Sequence, residues 1–208
     1  MTVCPHCAAE LESPAGCPHC KVPLEVPEDA SLFDLLGLEH RFAVDVKDLR
    51  KRVLKVSRDI HPDFFGTSAP GVRELAEKNS ARVNKAFEIL SDDAERADWI
   101  VRDLGGPDEQ EERAMPREFL MEVLDWNEIL EEARSRTEAL DPRLEPLASE
   151  LSERRGQAIA SIGALLTPMP PRGSPNLVRV RQELNSIRYV DRALAEIEAL
   201  RLARASVR

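Results

Sequence analysis

Four thiols stand at the start of the chain, in Cys4-Pro5-His6-Cys7 and Cys17-Pro18-His19-Cys20. Two Cys-x-x-Cys knuckles separated by residues 8–16 suit a tetrahedral site that takes two thiolates from each arm. Four thiolates leave no open position, so the expected metal is structural, with zinc favoured over iron. Residues 1–28 offer almost no large apolar side chain beyond Val3, Leu11, Val22, Leu24 and Val26, too few to fold by burial alone. Structural zinc supplies the difference, on the order of 10 kcal/mol or more. Two disulfides fit a reducing cytoplasm poorly, and a redox Cys-x-x-Cys pair needs a βαβ setting that is missing from this stretch. An iron–sulfur centre on the same four cysteines is the alternative that metal analysis separates. His6 and His19 are expected to face solvent.

The second group able to do chemistry is His61-Pro62-Asp63. Proline has no amide hydrogen and disfavours helical geometry in the residue before it, so a helix ends near His61 and the tripeptide sits on a loop. The spacing of Val46, Leu49, Val53, Val56 and Ile60 predicts that helix over 45–60, with one buried stripe. At 100° per residue, Lys47, Lys51, Lys55 and Arg58 gather on the opposite side. With Arg50 and Arg52 the helix is locally basic, which implies an acidic partner surface unless the face is merely solvated. A short helix capped by Ser31 and ending at Gly37 precedes it. Another follows over 72–90, with Val72, Leu75, Ala76, Val83, Ala86, Phe87 and Leu90 inward. A serine or cysteine nucleophile with a matching base is not evident, so a hydrolase has little support and the chain is expected not to be an enzyme.

Gly105, Gly106 and Pro107 break the chain, and the polar residues 108–113 read as linker. A helix over 117–140 has one apolar face of Phe119, Val123, Trp126, Leu130 and Ala133. A second face holds Leu120, Met121 and Leu124, with Asp125 and Glu128 beside it. Either a bundle buries both faces, or the second is an exposed apolar patch rimmed by acids and marks a partner site. Two more helices are expected over 144–166 and 176–205. The proline-rich loop 167–175 between them is expected to make few contacts and to be mobile.

The 208 residues are 32% charged, 42% hydrophobic and only 4% aromatic, a balance that favours thin helical bundles. The expected fold is all-α, in four parts: a metal module over 1–28, a helical hairpin domain over 29–104, a linker over 105–115 and a three-helix bundle over 116–208. A net charge of −9, with Lys21 the only Lys or Arg before residue 41, argues against nucleic-acid binding. No run of 18 apolar residues and no leader before Cys4 are seen, so no membrane association and a cytoplasmic location are expected.

The loop tripeptide between two antiparallel helices resembles the J-domain, the module by which co-chaperones activate DnaK-type ATPases. The run Val83-Asn84-Lys85-Ala86-Phe87-Glu88-Ile89-Leu90 looks like that family's third helix. The resemblance implies that His61, Pro62 and Asp63, with Lys51, Arg52 and Lys55, contact the chaperone, and that hydrolysis belongs to the partner. The order of parts, with His61-Pro62-Asp63-Phe64-Phe65, Phe119-Leu120-Met121-Glu122 and Arg188-Tyr189-Val190-Asp191, further resembles the HscB family in its tetracysteine branch. That resemblance implies an adaptor that brings the IscU scaffold, with its nascent iron–sulfur cluster, to an HscA-type chaperone. It places Leu120, Met121, Leu124, Asp125, Glu128 and Tyr189 at the scaffold interface. Asp125 stands where glutamate is common in the family, and Tyr189 where phenylalanine is. Weak self-association is compatible with this reading. A J-protein for another client and a zinc-ribbon nucleic-acid binder are the alternatives.

Overall fold

A computed structural model of the chain describes residues 2–65, 69–136 and 140–205. It is mostly helical, with short strand pairs at the amino end, and its chain contacts divide it into Met1–Arg96 and Ala97–Arg208. Among the described residues no helix is long and apolar enough to cross a membrane.

In the first unit, β1 (Thr2–Val3) pairs antiparallel with β2 (Glu10–Leu11), and β3 (Gly16–Cys17) with β4 (Val22–Pro23). These two-residue ladders are too short to hold themselves. Their small core is Cys4, Leu11, Cys17 and Leu24, so half of it is metal-site sulfur. Helix α1 (Leu32–Leu35) starts in a capping box, in which Ser31 Oγ accepts from Asp34 N–H and the Asp34 carboxylate accepts from Ser31 N–H. Helix α2 (Val46–Asp59) is capped by Asp45, whose carboxylate accepts from the Lys47 and Asp48 amides. It buries Leu49, Val53 and Val56 as the spacing predicts, while Val46, at its first turn, is exposed. A single 3-10 turn (Pro62–Phe65) carries the tripeptide, and α3 (Pro70–Ser91) returns to pack on α2.

Helix α4 (Asp93–Asp103) is absent from the sequence reading, which ran from the third helix straight to the glycine break. Asp92 gives its start: its carboxylate accepts from the Ala94 and Glu95 amides, both at 2.9 Å. Arg96, 1% exposed, donates to the carbonyls of Phe42 and Leu90, pairs with Asp93 and lies over the Phe42 ring.

In the second unit, α5 (Arg117–Ser135), α6 (Leu144–Leu165) and α7 (Pro175–Ala205) pack pairwise. Phe119, Trp126 and Leu130 meet Leu144, Leu147 and Leu151 and then Val190, Ala193 and Ile197 in one core. Helix α5 stops at Ser135, short of the expected 140; residues 137–139 lie outside the described residues. Residues 105–115 run along α7, where Arg181 donates to Pro107 O at 3.1 Å and Asn185 to Glu112 O and Ala114 O, both at 3.0 Å. Gly106 is required there, because a Cβ would sit 2.7 Å from Leu177 Cβ. The loop 167–175 is richer in contacts than expected: Arg172 donates to Asp103 O and Gly173 N–H to Leu104 O, both at 2.8 Å, and Pro170 is buried. These bonds satisfy carbonyls at the carboxyl end of α4, which otherwise have no helical partner.

Candidate functional site

The two knuckles fold alike because their sequences are alike. In each, the chain turns back so that an amide donates to the carbonyl of the first cysteine, Ala8 N–H to Cys4 O and Lys21 N–H to Cys17 O. Ala8 and Lys21 hold the left-handed region, at φ 57° and 52°, a conformation that costs a residue with a side chain about 1–2 kcal/mol. Amides also point at sulfur, from His6 to Cys4 Sγ and from Cys20 to Cys17 Sγ, each at 3.4 Å. Cys4 Sγ lies 3.8 Å from Cys20 Sγ, as Cys7 Sγ does from Cys17 Sγ, and all four sulfurs fall within 4.8 Å of one another. A tetrahedron with metal–sulfur bonds of about 2.3 Å has edges of about 3.8 Å, so the four thiols are positioned to hold one metal ion. Burial opposes ionisation of Cys4, but the amides of His6 and Cys7 outweigh it and lower the thiol to about 6. Hydrogen bonding with Cys7, followed by burial, pushes Cys20 up to about 12. His6 and His19 are exposed.

The module is keyed into the helical hairpin at several points. Asn79, 1% exposed on α3, donates both amide hydrogens into the module, to Ala15 O at 2.7 Å and Leu24 O at 2.8 Å. Ser13 Oγ donates to Leu35 O at 2.7 Å, and Lys55 pairs with Glu12 at 2.6 Å. Gly16 presses on the end of α2 so closely that a Cβ would lie 2.5 Å from Ile60 Cγ2. Sequence reasoning missed Asn79 and Glu12. Asn79 could have been found as the polar residue at helical spacing between buried Ala76 and Val83; Glu12 carries no signal, since its partner is 43 positions away.

At the far end of α2, His61 and Asp63 are exposed and Pro62 is half-buried. The Asp63 amide donates to His61 Nδ1 at 3.3 Å, the Asp63 carboxylate stands 3.6 Å from the same ring, and Phe64 meets it edge-on at 5.9 Å. The loop is therefore ordered by its own side chains. The basic residues behind it are engaged: Lys51 with Asp48 at 2.9 Å, Arg52 with Gly37 O at 2.8 Å, and Lys55 with Glu12.

On α5, Leu120, Met121, Leu124, Asp125 and Glu128 are all exposed, as is Tyr189 on α7. Phe119 and Trp126 occupy the opposite face, in the core, and Phe119 touches Tyr189 edge-on with ring centroids 6.4 Å apart. Leu120, Met121, Leu124 and Tyr189 are thus large apolar or aromatic side chains left outside the buried core of the bundle.

Residues 115–198 match the family model described as HSCB C-terminal oligomerisation domain. A "Co-chaperone protein HscB homolog" from Burkholderia mallei is 33% identical over 173 residues, covering 81% of this chain and 93% of that relative. One of the same description from Bordetella petrii is 34% identical over 135 residues, 64% of this chain and 77% of the relative. The crystal structure of human co-chaperone protein HscB superposes with a TM-score of 0.76 at 21% identity, over 97% of this chain and 100% of that one. Chaperone HscB from Vibrio cholerae gives 0.68 at 21% identity, over 83% and 98%. The two structures speak for the fold. The identity and coverage of the Burkholderia relative carry the further step: the chain belongs to the HscB family of co-chaperones.

Proposed function

We propose that this chain is a J-domain adaptor, not itself an enzyme, that brings an IscU-type iron–sulfur scaffold to an HscA/DnaK-type chaperone and stimulates the chaperone's ATPase. The observation that carries the reading is an exposed apolar patch, Leu120, Met121, Leu124 and Tyr189, in a chain whose other unit presents a His61-Pro62-Asp63 loop with His61 and Asp63 exposed. The division of labour follows residues 1–28 for the metal module, 29–104 for the J-domain, 105–115 for the connection and 116–208 for scaffold binding. Asp63 offers its carboxylate to a chaperone arginine, Pro62 fixes the turn, and His61 holds the loop through its contacts with Asp63 and Phe64. Lys51, Arg52 and Lys55 give the face its positive potential, which speeds encounter with an acidic surface. Asp125 and Glu128 rim the apolar patch and set the orientation of the scaffold. Cys4, Cys7, Cys17 and Cys20 hold zinc as a structural ion, in keeping with an all-thiolate tetrahedral donor set.

The test is the ATPase rate of an HscA-type chaperone with the chain alone and with IscU added. Stimulation that disappears in His61→Gln and rises synergistically with scaffold supports the reading. His61-dependent stimulation without a scaffold effect points to another client, and no stimulation rejects the proposal. Metal analysis of purified protein, expected at one zinc per chain and no visible absorption, checks the ion.

A further inference from the structure

The two knuckles share a sequence but not a setting. Pro18 and Lys21 of the second one line a groove of about 410 Å³ with Arg58, Asp59, Phe64 and Phe65, next to the tripeptide. Phe64 is 68% exposed, a large aromatic left in water beside the loop. The cations around it differ from those of the basic face. Lys51, Arg52 and Lys55 are held by Asp48, Gly37 O and Glu12, whereas among the described residues no ion pair engages Lys21 or Arg58. Asp59 offsets one charge, leaving the groove with a net positive charge. The knuckle is also fixed in place, by Asn79 on the carbonyls of Ala15 and Leu24 and by the close approach of Gly16 to Ile60. Lys21 holds a left-handed backbone position at the turn of this knuckle and lines the same groove as Phe64.

We propose that the second cysteine knuckle is part of the chaperone-docking surface, with Pro18 and Lys21 joining Arg58 and Phe64 to receive an acidic segment of the DnaK-type ATPase that carries an apolar side chain. This rests on the J-domain reading above and deepens it. The apolar side chain packs on Phe64 and Pro18, while carboxylates reach Lys21 and Arg58 in charge-assisted hydrogen bonds. The metal module then serves recognition directly, as one wall of the binding site.

The experiment titrates an HscA-type chaperone with the full-length chain and reads the concentration for half-maximal ATPase stimulation. Lys21→Glu is expected to raise it about 5- to 10-fold, with the maximal rate kept and the gap narrowing as salt is added. Lys21→Gln, which removes the charge without reversing it, moves it the same way by about 2- to 3-fold. Metal content is measured on both, so that a loss of the ion is not mistaken for a loss of contact; if Lys21→Glu sheds the metal, Lys21→Gln decides. Half-maximal concentrations equal to that of the parent chain, with metal bound and His61→Gln inactive, overturn the inference alone. A parent chain that fails to stimulate overturns the J-domain reading and this inference with it.

Discussion

Glu12 of the metal module and Lys55 of α2 meet at 2.6 Å, and the hydrogen bond from Lys55 holds the Glu12 carboxyl below its ordinary range. The module thus occupies one of the basic side chains that the J-domain resemblance implies for partner contact. Both side chains are more than half exposed, so the pair adds little to stability and mainly changes the charge that a partner meets.

Glu12→Gln should therefore release Lys55 and add one positive charge to the face. The half-maximal concentration for chaperone stimulation is expected to fall about 2-fold at low ionic strength and to converge with the parent at high salt. Melting should move by no more than about 2 °C, as befits an exposed pair. A weaker response in Glu12→Gln would mean that the pair positions the face instead of masking it.

Asn79 is the opposite case, a buried donor whose two hydrogens both cross into the module. Asn79→Ala leaves the carbonyls of Ala15 and Leu24 without that donor and should cost the first unit about 2–4 kcal/mol in urea unfolding. Removing the metal with a chelator, or with Cys4→Ser, acts on the other side of the same junction and should lower the same transition. Among the described residues the core of the three-helix bundle contains none from the module, so a calorimetric scan should keep the bundle's transition in place, and scaffold affinity should hold. A bundle transition that falls with metal removal would contradict this separation.

On α5, the two faces have opposite fates, and that lets binding be separated from folding. Leu120 and Leu124 are 47% and 63% exposed, while Trp126 is 4% exposed. The double variant Leu120→Ala and Leu124→Ala should lose at least about 10-fold in scaffold affinity with little change in melting, since neither side chain fills the core. Trp126→Ala should cost about 3–5 kcal/mol of stability instead. Calorimetric titration of IscU against the Leu120/Leu124 variant checks this, and an unchanged affinity would assign the patch to another partner.

Where periodicity and chemistry agree, the sequence is readable. The stripe of α2 from Leu49 onward and the core face of α5 stand as spacing predicts, and the four cysteines converge as their knuckle repeat implies. What escaped depends on partners distant in the chain. Arg181 reads as one more surface charge on α7, yet it is 1% exposed, pairing with Asp98 and donating to Pro107 O. The docking of the module through Asn79 and Gly16 leaves no local pattern beyond one polar residue in an apolar stripe. Helix α4 was missed for a different reason: its capping Asp92 follows directly on α3, and two helices without a turn between them read as one ending.

Asp141 gives the second unit a pH dependence with a definite sign. Its side chain is fully buried, and the Arg143 side chain and amide, with the Arg136 charge, hold its carboxyl well below the usual carboxylate range. In the unfolded chain it titrates near 3.9. A group whose folded value is depressed contributes its full stability above the unfolded value and loses it as pH falls below about 4. Asp141→Asn should therefore melt lower than the parent at pH 7, and the gap should shrink progressively as pH falls from about 4 to about 2. Asp108, also lowered by the amides of Glu111 and Gln110, is unaffected by the substitution. The difference between the two melting profiles isolates Asp141 for that reason, and profiles that stay parallel through this window would show that the Arg143 contact contributes nothing to folding.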